Sequence, residues 1–229
     1  MPYPSFADLE KHLSPHRLQR YVTACSGDNA RALQFYKANL KIAQAFHPLL
    51  GLLEVVLRNQ INLVLSAHFS DNDWIINQRT GFMSDSSLSR SRFYLRTEVD
   101  NAINRLSRKR VRITSGKVIA DLHFGFWTAL FETYHYSLLR GKPIQILTKL
   151  PPAHGRKEIL AALTLIREFR NRINHNEPVC FRGNSIDFTE AVKTYKALQR
   201  MLRWIDVRLL EWTRDLNRVI EEIGKAKRI

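Results

Sequence analysis

Apolar residues recur at three-to-four spacing along most of this chain, a period typical of α-helices that bury one face. After the turn-forming stretch "SGDN", Asp28 is placed to cap a long helix that contains Pro48, where a kink is expected. The apolar stripe of this helix comprises Leu33, Tyr36, Leu40, Phe46, Leu50, Leu53, Leu57, Ile61 and Val64. Further helices are predicted at about 86 to 110, 116 to 139, 156 to 176 and 187 to 223. No stretch alternates with period two between hairpin turns, so the pattern predicts an all-α protein.

A shorter helix is predicted before the long one. In "LSPHRLQRYVTAC", Ser14 is a candidate N-cap and Pro15 fits the first turn. The hydrophobic content of 45% is enough for a sizeable core, and no linker or fixed-period repeat divides the chain. We therefore predict a single domain over residues 1–229 with an N-terminal helical extension over about 1–27.

No segment has the pattern of a targeting or membrane-spanning sequence. The start, "MPYPSFADLEKH", lacks a basic flank followed by an apolar stretch. The most apolar tract, "LLGLLEVVLRNQINLVL", is interrupted by Glu54, Arg58 and Asn59. Cys25 and Cys180 have no CxxC spacing, so we expect reduced thiols. Together these features predict a cytoplasmic protein without a signal peptide or membrane span.

The formal net charge of +15 exceeds what solubility requires and points to a polyanionic partner, for which nucleic acid is the first candidate. Positive charge is densest between Arg90 and Lys117. The candidate RNA contacts within this run are Arg105, Arg108, Lys109, Arg110 and Arg112. The alternative is an ordinary solvated helix face, and composition does not distinguish the two interpretations.

The stretch "REFRNRINHNEP", residues 167 to 178, is unusually polar for the end of an apolar-striped helix. The stripe through Leu163 and Ile166 continues to Arg170, which occupies a position expected for a core residue. A guanidinium there needs a carboxylate partner or access to water. Glu54 lies on the stripe of the long helix. Two interpretations stay open: a Glu54–Arg170 pair across two packed helices, or a polar cleft open to a phosphate.

Pro178 predicts that this helix ends near His175. The helix dipole favours a protonated imidazole at that end, whereas Arg170 and Arg172 oppose it, so the sequence does not fix its charge. On an ideal helix Arg170 and His175 point about 140° apart, while Asn171 and His175 share a face. We therefore predict a two-fold homodimer in which a second copy completes the site.

The segment "RNRINHNEP" resembles the signature of the HEPN superfamily, an arginine and a histidine separated by four to six residues. Here the pair is Arg170 and His175, and Asn171 fits the polar residue that follows the arginine. Within the superfamily the chain is similar to the Abi-like (abortive infection) proteins, whose blocks resemble, in the same order, "LSPHRLQRY", "ALQFYKANLKIAQAF", "LEVVLRNQIN" and "IADLHFGFWTALF". One departure is that Asn176 stands where the family often has a second histidine.

The resemblance implies a HEPN-like helical bundle with additional helices and a metal-independent endoribonuclease of phage defence or of the toxin type. In that reaction the ribose 2′-OH attacks the adjacent phosphate and leaves a cyclic 2′,3′-phosphate. Histidine can transfer the protons, and an arginine can bind two phosphate oxygens at once. The catalytic candidates are Arg170 and His175. The supporting candidates are Asn171, Arg172, Asn174, Glu54 and Arg58.

Rival chemistries have weaker sequence support. The chain has no HExxH, no paired CxxC and no Gly-rich phosphate loop, so we expect neither a metal nor a cofactor. Core or dimer packing is a better explanation than base stacking for the aromatic residues Phe124, Phe126, Trp127 and Phe131. The expected partners are RNA, a second copy of the chain and, as a further candidate, an antitoxin protein. Two alternatives remain: a non-catalytic RNA-binding or partner-binding HEPN module, and a purely structural helical scaffold.

Overall fold

The structure, a computed structural model, describes residues 4–229, so residues 1–3 of the predicted N-terminal extension lie outside it. The α-helices are α1 (Phe6–Leu13), α2 (Pro15–Ala24), α3 (Asn29–Phe69), α4 (Trp74–Asn77), α5 (Tyr94–Arg108), α6 (Ser115–Asp121), α7 (Phe124–Ala129), α8 (Thr133–Leu138), α9 (Arg156–Asn174), α10 (Thr189–Ile205), α11 (Arg208–Trp212) and α12 (Val219–Ala226). Short 3₁₀ helices cover Phe82–Ser84, Ser86–Ser91 and Lys142–Ile146. The antiparallel hairpin of β1 (Phe181–Arg182) and β2 (Ser185–Ile186) is the β-structure of the described residues. The predicted all-α class is confirmed.

The long helix α3 lies at the centre of the fold. Its N-cap is Asp28, as predicted, whose side chain accepts a hydrogen bond of 3.0 Å from the Arg31 amide. The helix continues through Pro48, and α2, α7, α9, α10 and α12 all pack against it. Its stripe is buried as predicted from Phe46 to Ile61, but Val64 is only partly buried and Leu40 is 45% exposed. Closer to the N-terminus the buried positions are Ala32, Phe35, Ala38, Asn39 and Ile42.

By length and apolar composition α3 is also long enough to cross a membrane, and among the described residues it is the one helix of which this is true. A central helix of a soluble protein passes the same test, so the observation is weak evidence for a span. In this fold α3 has helices packed along it, and its buried positions belong to the common core.

Of the two N-terminal helices, α2 contributes buried residues and α1 contributes none. Leu18 and Tyr21 of α2 are buried, and α2 packs on α3. Ser14 stands at the N-cap of α2 as predicted, but its φ is 71° and its side chain makes no capping hydrogen bond. The buried apolar side chains form one connected cluster, whose first member along the chain is Tyr21 and whose last is Ala226.

Three of the predicted helices are wrong in their extent. The helix predicted from 86 begins only at Tyr94, because Arg92 and Phe93 both adopt left-handed backbone with φ 52°. The one predicted at 116 to 139 is divided into α6, α7 and α8, with extended backbone at Leu122, His123 and Glu132. The one predicted from 187 breaks at Asp206, whose side chain accepts from the Arg208 amide at 2.9 Å.

Aromatic side chains fill the region of the short helices α7 and α8. Phe124, Phe126, Trp127 and Phe131 are at most 2% exposed, which confirms packing rather than a stacking platform for bases. One regular helix would direct some of these neighbouring rings to solvent. Breaking the chain into short helices allows all of them to enter the core.

Candidate functional site

Helix α9 ends as the sequence predicts, with His175 as its C-cap. Asn176 follows in left-handed backbone with φ 54°. Its amide donates to the Ile173 carbonyl at 3.0 Å, and the Glu177 amide donates to the Arg172 carbonyl at 2.8 Å. These two bonds form a Schellman motif, in which glycine or asparagine is favoured at the left-handed position. The geometry therefore explains the asparagine after His175.

Arg170 pairs with Glu54, as one of the two sequence interpretations proposed. Its Nη2 donates to Oε2 of Glu54 at 2.8 Å, which joins α9 to α3. The Arg170 and Glu54 side chains keep 24% and 20% of their exposure, and the guanidinium carbon lies 5.9 Å from the centroid of the Phe124 ring. The pair is thus at the boundary between core and solvent, and the other N–H groups of the guanidinium are not used by Glu54.

Arg172 has a different position and a structural role. Its Nη1 donates to Oε2 of Glu190 on α10, and its Nη2 donates to the Pro178 carbonyl. A weaker contact of 4.0 Å joins its Nε to Glu177. Arg172 therefore connects the end of α9 both to α10 and to the loop that follows His175.

The remaining polar residues of the segment are exposed. Asn171, Asn174 and His175 all face solvent, and within residues 4–229 their side chains make no hydrogen bond or ion pair. Arg170 and His175 are not in contact with each other, in agreement with their directions about 140° apart on a helix. One chain therefore brings Arg170 to Glu54 but does not bring His175 to the same point.

Arg58 lies one turn after Glu54 on α3 and is partly exposed. Its side chain makes no hydrogen bond or ion pair with any residue of the described part of the chain. Its position next to the Glu54–Arg170 pair leaves its guanidinium free to meet an anion there.

The predicted RNA-binding residues divide into two groups. Arg105 is held by Asp121, whose Oδ2 accepts from Nε at 2.7 Å and lies 2.6 Å from Nη2, so its charge is already neutralised. The other candidates are exposed at the end of α5 and just beyond it, where Arg110 has left-handed backbone: Arg108, Lys109, Arg110 and Arg112.

Two arginines of α2 hold the loop after His175, and the sequence interpretation gave them no role. Arg17 Nη1 donates to the Asn176 carbonyl at 3.0 Å. Arg20 donates to the Gly183 carbonyl, and its guanidinium carbon lies 4.5 Å from the centroid of the Phe181 ring. The sequence feature that could have indicated this role is the three-residue spacing of Arg17 and Arg20 in "PHRLQRY", which puts both arginines on one side of α2.

A cleft of about 430 Å³ opens between α2 and this loop, directly beside the end of α9. It is lined by Ser14, His16, Arg17, Arg20, Tyr21, Tyr36, Asn176, Glu177 and Pro178. The lining combines cationic and aromatic side chains, a composition that suits a nucleotide.

Cys180, close to this cleft, is not a nucleophile. It is fully buried, and burial raises the pKa of its thiol to about 12. The pKa of Cys25 is also raised by burial, and both cysteines are free. Because the thiolate is the reactive form, neither residue is suited to covalent chemistry.

Comparison of the chain with models of protein families, with curated proteins and with solved structures gives no significant match.

Proposed function

We propose that this chain is a metal-independent endoribonuclease of the HEPN type that acts in phage defence or as a toxin. The observation that carries the proposal is the contrast at the end of α9. The side chains of Asn171, Asn174 and His175 are exposed and make no hydrogen bond or ion pair within residues 4–229, whereas the Arg172 side chain is bonded to α10 and to the loop. Residues that do not hold the fold together are available for a substrate.

The chemistry divides between two side chains. Arg170 binds the scissile phosphate and neutralises the charge that develops during attack by the 2′-OH. Its bond to Glu54 orients the guanidinium and uses one of its five N–H groups, so the others can reach a phosphate. His175 transfers the protons to and from the ribose and leaving-group oxygens. DNA lacks the 2′-OH and is not cut by this route.

A second copy of the chain completes the site in this proposal, because Arg170 and His175 diverge on one helix. The exposed side of α3 next to Glu54 supports such a contact: Val55 is 41% exposed, and a Cβ added at Gly51 would meet nothing within 4 Å. The proposal also takes RNA as substrate and Arg58, Arg108, Lys109, Arg110 and Arg112 as phosphate contacts. An antitoxin is a further candidate partner, and the free cysteines agree with a cytoplasmic location.

The alternative function is a non-catalytic RNA-binding or partner-binding module. The observation that favours it is that Arg170 already has a carboxylate partner and does not meet His175 within one chain. Cleavage by the purified protein distinguishes the two functions.

The experiment is incubation of purified protein with total RNA in excess chelator, with mapping of the new 3′ ends. We expect cleavage that leaves cyclic 2′,3′-phosphates, and its loss in His175→Ala. His68→Ala is the control, because His68 lies in the last turn of α3, about 20 Å along the helix from Glu54 and outside the proposed site. Cleavage by His175→Ala at the wild-type rate would show that the catalytic assignment is wrong, and wild-type protein that binds RNA without cutting it would favour the alternative.

A further inference from the structure

Helix α10 carries a row of four cations on one face, which we call the basic row: Lys193, Lys196, Arg200 and Arg203. Their spacing of three, four and three residues places them within an arc of about 80° on an α-helix. All four are exposed, and none forms an ion pair with an acidic side chain in residues 4–229.

Several arginines of the protein have acidic partners, whereas the basic row, like other exposed cations of the described residues, has none. Arg105, Arg172, Arg208 and Arg214 each have a carboxylate within ion-pair distance. In the basic row, by contrast, neighbouring like charges three or four residues apart repel one another and destabilise the helix. Binding of an external anion would relieve this repulsion.

The basic row lines an elongated groove between α9 and α10. A cavity of about 530 Å³ is bounded by the basic row, by Gln199 and by Leu165 of α9. At Lys193 it continues into a second cavity of about 380 Å³, which reaches Phe181 and Arg182 of the hairpin. The helical rise gives the basic row a length of about 15 Å, with successive cations about 4.5 to 6 Å apart.

Acidic residues occur only near the Lys193 end of this groove, among its lining residues. Glu190 is there, but its carboxylate accepts from Arg172. Asp187 is also there; its pKa is lowered by a hydrogen bond from Thr189 and further by the charges of Arg182 and Lys193. Arg172 of α9 pairs with Glu190. The Lys193 end of the groove therefore lies near the end of α9 that carries His175.

We propose that this groove binds the sugar-phosphate backbone of single-stranded RNA and leads the strand toward the end of α9. A single line of cations matches one backbone, and the exposed donors of lysine and arginine suit phosphate oxygens. Leu165 gives the groove an apolar side on which bases can lie. The identity of the strand as RNA rests on the proposed function, but the binding of a single-stranded backbone does not.

The test measures binding of a fluorescent single-stranded oligodeoxynucleotide of about 20 nucleotides, which has the same phosphates but no 2′-OH to be attacked. Lys193, Lys196, Arg200 and Arg203 are changed together to Gln. The matched control changes Lys41, Arg218, Lys227 and Arg228 to Gln, which removes the same charge from exposed positions outside the groove. Circular dichroism and thermal unfolding verify that both variants are folded.

We expect the groove variant to bind about tenfold or more weakly than the control at about 0.1 M salt. The slope of log affinity against log salt should be shallower by about 3, since each lost phosphate contact on a single strand contributes about 0.7. Equal affinities and slopes for the two variants would overturn the proposal. A duplex that loses as much affinity as the single strand would overturn the assignment to a single strand.

Cleavage assays separate this proposal from the proposed function. If the wild type cuts no RNA but the groove variant still loses affinity relative to the control, the ribonuclease assignment fails and the groove stands. If the wild type cuts RNA and the groove variant binds and cuts like the control, the groove fails and the ribonuclease assignment stands.

Discussion

At the scale of single residues, the polar segment of α9 contains side chains of different roles that its composition does not reveal. Arg172 holds the loop, Arg170 pairs with Glu54 and stays partly exposed to solvent, and the His175 side chain makes no hydrogen bond or ion pair within residues 4–229. Substitutions at these neighbouring positions should therefore separate stability from activity.

For Arg170→Ala we expect loss of cleavage and a decrease of about 1 to 2 kcal/mol in the free energy of unfolding, because a partly buried Glu54 loses its partner. Arg170→Lys keeps the charge but not the planar fork, so it should be more stable than Arg170→Ala and still cut poorly. Urea unfolding measures the stability, and Arg170→Ala combined with Glu54→Ala is the control. If the free energy of unfolding lost by the double variant equals the sum of the losses of Arg170→Ala and Glu54→Ala, the two side chains are not coupled.

Asn176 permits a prediction about the turn alone. Asn176→Gly should unfold at the same or slightly higher urea concentration, because glycine adopts positive φ without strain. Asn176→Ala should lose about 1 kcal/mol, because alanine lacks the short polar side chain that lets asparagine adopt left-handed backbone more readily than other residues with a Cβ. Equal stability of the two variants in urea unfolding would show that the Schellman geometry does not determine the choice of residue here.

At the scale of elements, α3 contains a glycine that packing within the chain does not require. A Cβ at Gly51 meets nothing within 4 Å, yet glycine inside a helix is less favourable than alanine by up to about 1 kcal/mol. We expect Gly51→Ala to raise the free energy of unfolding by about 0.5 to 1 kcal/mol and the melting temperature by about 1 to 4 °C. Calorimetry provides the measurement. Gly141→Ala is the contrasting control, since Gly141 has φ 73° and should be destabilised by a Cβ.

The sequence predicts those elements whose signals are local. The Asp28 cap and the end of α9 at His175 follow from capping signals, whereas the Glu54–Arg170 pair is one of two interpretations that the apolar stripes left open. The breaks at Arg92 and Asp206 do not, because they interrupt regular apolar periodicity and depend on what the flanking segments pack against. The basic row was also missed, because its cations are spread over a helix instead of forming a continuous run.

At the scale of the whole molecule, the question is how Arg170 and His175 could act together. We expect a two-fold dimer in solution by light scattering, with the cleavage site made from two copies of the α9 end. Mixing Arg170→Ala with His175→Ala should then restore part of the cleavage that each variant lacks, because one copy supplies the arginine and the other the histidine.

Two controls accompany the mixing experiment. Each variant alone, at the same total concentration, should remain inactive. Two differently labelled preparations of His175→Ala, when mixed, should form dimers that carry both labels but do not cleave RNA. A monomeric wild type that cuts RNA would contradict the dimer, and a dimeric mixture without activity would place both residues of a working site in the same chain.

The two hydrogen bonds from α2 to the loop beyond His175 also have a consequence for the order in which the protein is made. Arg17 is 159 residues from Asn176 in the chain, and Arg20 is 163 residues from Gly183. Because the ribosome builds a chain from its N-terminus, α2 is completed long before the carbonyl groups that it will bind exist. A partial product that ends before Gly183 lacks the carbonyl that Arg20 binds. Any activity that needs both hydrogen bonds can therefore arise only after all of α9 and the chain through Gly183 have been translated.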